Sequence, residues 1–414
     1  MKERPIAIDL FAGCGGMSLG LEAAGFDVAV AVEFDAVHAL VHHFNFPYCN
    51  TICKDISQVK STEIIDSLKL KGYSTEVDLI AGGPPCQGFS HIGKRQIDDP
   101  RNALVFEYLR LVSEIRPKYF LFENVPGIGT GKHQQFLEEL MIKFASIGYR
   151  IQKPIKIIDA SEYGAPQKRK RLIIIGSRED VTWAKYPEIN CDNVDKFTTV
   201  SEAISDLEKI EAFTNTDKGI AIANLEYVGK RKKYCIKPSD IFALCHLRQV
   251  NPIVYGHIGS VHTQTSIERF ANTEPGTVEP KSRFFKLAAN GLCNTLRAGT
   301  NSDKGAYTAP RPIHYSLPRC ITVREAARLH VFPDWFQFHR TIWHGFRQIG
   351  NAVIPLLSKK LGSSVIDALG EKTTKFKCLT LEKMPEELLS YNRSQASAYW
   401  GIADNVIPKR KPLV

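Results

Sequence analysis

Short apolar runs punctuate the first 177 residues, each leading into a polar or glycine-rich turn and then a stretch with helical spacing. Runs at 6–10, 28–32, 77–80, 119–122 and 172–176 are brief and almost wholly apolar, and they read as buried strands. A further strand ends near Asp55. Between them, 35–45, 102–115 and 134–147 read as helices. Leu104, Val105, Tyr108, Leu109, Leu111, Val112 and Ile115 fall on the apolar face of the second, and Phe136, Leu137, Leu140, Met141 and Phe144 on that of the third. Strands alternating with helices predict an open α/β sheet over 1–177.

The rhythm stops at about residue 178 and resumes only after 293. Prolines, asparagines and short mixed runs fill the interval, with one short helix expected at 199–207, so 178–293 reads as a second, smaller and irregular domain. It carries a basic run, 230–233, flanked by Tyr227 and Tyr234, and polar residues such as His257, His262 and Arg269 that suit nucleic acid. From 294 to 370 the chain is expected to rejoin the first domain. Thr322 and Glu325 form a capping box ahead of a helix at 326–330, and 356–369 reads as another helix. The tail, 371–414, is polar with a basic end and carries no recognisable motif.

Candidate chemistry gathers where the strands end, which is where open α/β sheets bind ligands. After the first strand comes Phe11-Ala12-Gly13-Cys14-Gly15-Gly16, whose glycines let a ligand approach the backbone at a helix start. Ser18 stands where a dinucleotide fingerprint would have its third glycine. The second strand ends in Glu33-Phe34, an acid suited to ribose hydroxyls beside a ring suited to a flat base. Asp55 either accepts from a base amino group or caps the following turn. The strand at 77–80 runs into Gly82-Gly83-Pro84-Pro85-Cys86-Gln87-Gly88-Phe89-Ser90, where two glycines and two prolines forbid regular structure and hold one thiol on a stiff loop. Glu123-Asn124 leaves the strand at 119–122, placing an acid suited to hold or donate a proton. Gln167-Lys168-Arg169-Lys170-Arg171 sets four consecutive cations against a buried strand, and so many need an external anion or an acidic neighbour.

Composition narrows the partners. Lys and Arg outnumber Asp and Glu by 54 to 44, a net charge of +10 that favours a polyanion. No apolar run approaches the length of a membrane span, and residues 1–5 lack the apolar core of a signal peptide, so a cytoplasmic protein is expected. None of the ten cysteines forms a Cys-x-x-Cys pair, so reduced, packed thiols and no metal site are expected.

The loop from Gly82 to Ser90 closely resembles the nucleophile loop of the DNA cytosine-5 methyltransferases, whose core is Pro-Cys. The glycine-rich turn followed by Glu33 and Asp55 resembles that family's S-adenosylmethionine site. Glu123-Asn124-Val125 resembles its second catalytic signature, and Gln167-x-Arg169-x-Arg171 its third. Residues 321–335 and 348–355 resemble its last two motifs. The resemblance covers about 5–370, with the motifs in family order. It implies a Rossmann-like, S-adenosylmethionine-dependent methyltransferase sheet with helices on both faces, and a target-recognition domain at 178–293.

The same resemblance implies the roles. Cys86 is the nucleophile, with Pro85, Glu123 and Asn124 in support, Arg169 near the reacting base and Arg171 behind it. S-adenosylmethionine is expected against Phe11, Gly13, Gly15, Gly16, Glu33, Phe34, Asp55, Pro84, Asn351 and Ala352. Double-stranded DNA is expected against Gln87, Ser90, Lys168 and Arg297. The implied protein is a monomeric bacterial modification enzyme, with a cognate restriction endonuclease acting separately. An RNA cytosine methyltransferase is the rival within the fold, disfavoured by Pro84-Pro85-Cys86-Gln87 and the large middle region. A silent DNA-binding subunit would be expected to have degenerate motifs. A nicotinamide-dependent oxidoreductase would leave Cys86 without a role.

Overall fold

The computed structural model describes residues 4–85, 103–129, 134–189, 198–210, 212, 220–222, 253–299, 311–370 and 384–403. At its centre lies an eight-stranded sheet built from β1 (Ile6–Leu10), β2 (Asp27–Glu33), β3 (Asn50–Cys53), β4 (Leu79–Gly82), β5 (Tyr119–Asn124), β6 (Tyr149–Ile151), β7 (Lys156–Asp159) and β8 (Lys170–Arg178). The strand order is β3-β2-β1-β4-β5-β8-β6, with β7 also paired to β8. The first five strands are parallel, and β8 returns antiparallel to β5. β8 is longer than the run at 172–176 suggested, so Lys170 and Arg171 belong to the strand itself. β3 stops at Cys53, before Asp55.

Uniformly apolar strands make sense only if both faces of the sheet are covered, and they are. On one face Ile8, Leu10, Ile80, Phe120, Phe122 and Ile174 pack against α3 (Ser61–Leu70), α4 (Ala103–Ile115) and α5 (Gln134–Ser146). Phe120 stacks on Phe144 at 4.2 Å, and full burial of a ring this size contributes roughly 1.5–3 kcal/mol. On the other face Ala7, Ala31, Leu121, Ile173 and Ile175 meet α1 (Gly16–Ala24) and α2 (Ala36–Asn45), together with three helices from the C-terminal part. These are α8 (Val323–Leu329), α9 (Ile342–Asn351) and α10 (Pro355–Leu369). The capping box of Thr322 and Glu325 is present and opens α8.

α10 lies on α1 so closely that side chains are excluded. A Cβ on Gly20 would meet the Pro355 carbonyl and the Ser358 Cβ at 2.4 Å each, and one on Gly362 would meet the Ala24 Cβ at 2.8 Å. Ser358 Oγ donates to the Met17 carbonyl at 2.8 Å across this contact.

Between 178 and 293 the described residues give α6 (Val200–Ile204), opened by a capping box of Thr199 and Glu202 and extended by a 3₁₀ turn over 205–207. A ribbon of β9 (Ile220–Ile222) and β10 (Ile253–Tyr255) and the helix α7 (Gln264–Asn272) follow. The basic run at 230–233 lies outside the described residues. His257 is buried, with Thr322 Oγ1 and the Ile210 carbonyl on its two ring nitrogens, so it serves packing rather than a surface. Beyond α10, a 3₁₀ turn at 386–390 and α11 (Arg393–Trp400) form an ordered unit that the sequence did not suggest.

Candidate active site

Two neighbouring parallel strands, β4 and β5, deliver the central groups at their carboxyl ends. β4 ends at Gly82, and Gly83-Pro84-Pro85 leads toward the thiol loop. Cys86, Gln87 and Ser90 themselves lie outside the described residues. The approach to them is firmly built. Pro84 is buried and its carbonyl accepts from Asn124 Nδ2 at 3.0 Å, while Pro85 is exposed. Asn124 Oδ1 accepts from the Val125 N–H at 2.8 Å, so the amide spans the two strand ends. A Cβ on Gly83 would lie 2.7 Å from Glu123 Oε2, so a side chain there would push the carboxylate aside.

Glu123 leaves β5 on the same face as Tyr119 and Leu121. Its carboxylate meets Arg171 of β8, with Nε 2.7 Å from Oε1 and both side chains only about one-eighth exposed (13% and 12%). A pair this sheltered is screened far less than a surface pair.

The sequence placed Arg169 near the reacting base and Arg171 in support; in the structure Arg171 is the one that meets Glu123, and Arg169 lies among backbone carbonyls. Arg169 is buried, and its guanidinium donates to three carbonyls, those of Leu296 (2.8 Å), Gly350 (2.8 Å) and Ala352 (3.0 Å). Burial, reinforced by the charge of Arg171, lowers its pKa to about 9. Gln167 joins the same seam, donating to the Leu329 carbonyl at 3.2 Å and accepting from the Leu296 N–H at 3.1 Å. His330 lies between the Ala352 carbonyl (3.0 Å) and Gln167 Nε2 (3.1 Å), and burial holds its pKa well below the ordinary histidine value. Gln167 and Arg169 therefore bind the C-terminal segments to the stretch just before β8, and Arg171 binds the acid.

The candidate cofactor side lies at the ends of β1 and β2. Phe11, Gly13 and Gly15 all have positive φ (63°, 57° and 103°), and the turn closes as the Gly15 N–H donates to the Ala12 carbonyl. Glu33 fastens it: its carboxylate accepts from the Gly13 N–H and the Asp35 N–H, both at 2.8 Å. Burial raises the Glu33 pKa, so added hydroxyl donors would favour its charged form. Nothing lies within 4 Å of where a Gly13 Cβ would project, whereas one on Gly16 would meet the Val353 carbonyl at 2.4 Å. Phe34 is half-buried beside Glu33. Asp55 caps the turn after β3, accepting from the Ser57 N–H and Oγ at 2.9 and 2.7 Å. Ala352 is buried and Asn351 exposed at the end of α9, so the last motif does reach the first glycine turn. Lys168 and Arg297 are exposed, and the Lys168 carbonyl accepts from Thr295 Oγ1 at 2.6 Å.

Sequence reading passed over a buried chain beneath the turn. Ser18 Oγ donates to Asp9 Oδ2 at 2.6 Å and lies 3.0 Å from His42 Nε2, and His42 Nδ1 lies 3.0 Å from Thr51 Oγ1. Burial raises Asp9 to about 7 and lowers His42 to about 3. The clue in the sequence was Ser18, noted there only as a missing glycine.

Helices on both faces of a mostly parallel sheet, with a glycine turn after β1 and an acid ending β2, make a mixed α/β fold with its candidate groups at the strand ends. The model of the C-5 cytosine-specific DNA methylases matches residues 6–367, and the chain belongs to that family as a DNA (cytosine-5-)-methyltransferase. It is similar to the Type II methyltransferase M.XorII of Xanthomonas oryzae pv. oryzae, 46% identical over 413 residues, 98% of this chain and 95% of that protein. M.DdeI of Desulfomicrobium norvegicum is 33% identical over 385 residues, 86% of this chain and 88% of that protein. Among solved structures, a protein of Escherichia coli described as a prophage-encoded DNA modification methyltransferase matches 89% of this chain and 100% of its own, with a TM-score of 0.73 and 34% identity. The Dnmt2 methyltransferase of S. pombe shares the fold, with a TM-score of 0.55 and 16% identity.

Proposed function

We propose that the chain methylates carbon 5 of a cytosine within a defined double-stranded DNA sequence, through a covalent adduct on Cys86, as the modification half of a restriction-modification system. The observation that carries this reading is the Glu123–Arg171 pair at 2.7 Å, set against the Gly83-Pro84 turn that leads to Cys86. Type II methyltransferases among its relatives support the biological setting.

Aromatic carbon 5 is a poor nucleophile. Addition of the Cys86 thiolate to carbon 6 removes the aromaticity and makes carbon 5 enamine-like. Glu123 holds the proton at ring nitrogen 3, and Arg171 keeps that acid in place and offsets charge developing in the ring. Carbon 5 takes the methyl, loses its proton to a water, and Cys86 leaves as thiolate. S-adenosylmethionine supplies the electrophilic sulfonium methyl. The residues to hold it are Glu33 on the ribose, Phe11 and Phe34 on the base, Asp55 at the base amino group, the backbone of Gly13, Gly15 and Gly16, and Pro84, Asn351 and Ala352 at the methionine end. The open space at Gly13 and the desolvated acid of Glu33 fit such a ligand.

A cytosine inside a duplex is out of reach, so it is flipped into the pocket, at a cost of a few kcal/mol in unstacking. Gln87 and Ser90 face the vacated stack, Lys168 and Arg297 the phosphates, and 178–293 reads the target sequence.

The test uses purified protein, S-adenosylmethionine and duplex DNA carrying 5-fluorocytosine. Fluorine cannot leave as a proton does, so a covalent Cys86–DNA adduct is expected, and Cys86→Ser should form none. An adduct on RNA alone, or turnover by Cys86→Ser, would overturn the reading.

A further inference from the structure

The family match ends at residue 367, yet residues 384–403 are built with care. Asn392 and Gln395 form a capping box at the start of α11, and Gly401 closes it with φ 65°. Leu388 and Ala396 are buried in one cluster with Ala36, Val37, Ala39 and Leu40 of α2 and Cys53 of β3. Met384, Tyr391, Trp400 and Ile402 pack around it.

The polar anchors fall on two different elements. Toward α2, Trp400 Nε1 donates to the Ala36 carbonyl at 3.2 Å. Ala36 follows Asp35, whose N–H donates to Glu33, and Cys53 Sγ lies 3.9 Å from the Phe34 carbonyl. Toward the segment before α9, the Leu389 carbonyl accepts from the Arg340 N–H at 2.8 Å, and the Tyr391 carbonyl lies 3.0 Å from His339 Nε2. Glu386 pairs with Arg340 at 2.7 Å. The His339 N–H in turn donates to Gln348 Oε1 at 3.0 Å, on the helix that ends in Asn351.

The two anchored elements are the two flanks of the proposed cofactor site. At its far end α2 is joined to the second flank directly, since Asn45 exchanges hydrogen bonds with the backbone of Gln337 at 2.8 and 3.1 Å. At the end nearest Glu33, the segment 384–403 spans the seam. We propose that this segment is a strap that preorganises the S-adenosylmethionine pocket, with Trp400 and Leu388 as positioning residues that touch neither cofactor nor DNA. The proposal rests on the cofactor reading above. A pocket whose flanks are held apart correctly before binding loses less on ordering, so strap and affinity are coupled.

The experiment compares Trp400→Ala, Leu388→Ala, Trp400→Phe and Glu33→Ala in the full-length protein. Calorimetry measures the Kd for S-adenosylmethionine, and separate assays give kcat at saturating cofactor and the Kd for target DNA. Both alanine variants in the strap should weaken cofactor binding about tenfold while kcat and DNA affinity stay within about twofold. Trp400→Phe keeps the ring and should restore most of the affinity. Glu386→Gln removes the ion pair to Arg340 and provides a mild variant, with a loss of about twofold, should the alanine variants fail to fold. Unchanged cofactor affinity in the strap variants, with Glu33→Ala impaired, would overturn the strap alone. Unchanged affinity in Glu33→Ala would overturn the site reading beneath it. A parallel loss of kcat, DNA binding and cofactor binding would reduce the segment to a general stabiliser.

Discussion

Arg169 and Arg171 sit two residues apart, one just before β8 and one within it, in surroundings that make them different tools. At the proposed catalytic end, Arg171 meets a carboxylate in a sheltered pair. At the seam, Arg169 is sealed among carbonyls of residues 296, 350 and 352. A carboxylate partner leaves an arginine able to follow a charge that changes during reaction. Three fixed carbonyls make it a rivet. The lesson is that a motif lists residue types, while burial and the partner's charge assign the work.

The sharpest break of this comparison comes from Glu123→Gln, which removes the changeable charge and keeps the shape. Turnover should fall by about 10²- to 10⁴-fold with cofactor affinity nearly unchanged. A lost cofactor site instead would place Glu123 on the wrong side. Next come the arginines themselves. Arg171→Ala should cut kcat about 10²- to 10³-fold with little change in urea unfolding. Arg169→Ala should lower the unfolding free energy by about 3–5 kcal/mol, because three buried carbonyls lose their donor. Equal effects of the two on both measurements would erase the distinction.

A smaller effect is expected at Gly83. Its Cβ would press on Glu123 Oε2 at 2.7 Å, so Gly83→Ala should shift the acid and slow turnover about tenfold, with cofactor Kd unaffected. Activity at the normal rate would mean that the acid has room to move.

The smallest effect concerns pH. Glu325 is buried, which alone would raise its pKa, but the hydrogen bonds and charge of Arg319 outweigh this and hold it at about 2, below the ordinary 4.5. A folded value below the unfolded one gives stability that is present above about 4.5 and lost as pH falls toward 2. Unfolding between pH 5 and 3 should therefore show a loss of roughly 1–2 kcal/mol that Glu325→Gln lacks. The carbonyl-bound Arg169 should contribute no such dependence.

Strand ends were easy to read from sequence because the apolar runs stop abruptly and the next residues are acids, glycines or a thiol, as at Glu33, Cys86 and Glu123. Local spacing carries such information. The role of Arg169 could not be read, because its partners come from 127 to 183 residues away. The same holds for Gly83, whose constraint is an oxygen on another strand. Asp9 looked like one more residue of a buried run, and only the fold brings Ser18 and His42 to it. The unit at 384–403 escaped notice because a short polar helix with few large apolar residues has little periodic signal, although its capping box at Asn392 and Gln395 was visible.

The embrace of α1 by α10 also sets a clock. The glycines at 16 and 20 wait for a partner that is made only when residues 353–358 have been translated. At roughly 5–20 residues per second a ribosome takes tens of seconds over that interval. Until then, the face of the first helix that α10 covers in the fold lacks that partner. The order of the elements along the gene is thus separable from their arrangement in space. A permuted gene encoding α10 ahead of β1 would cover that face within seconds and still lead to the same sheet.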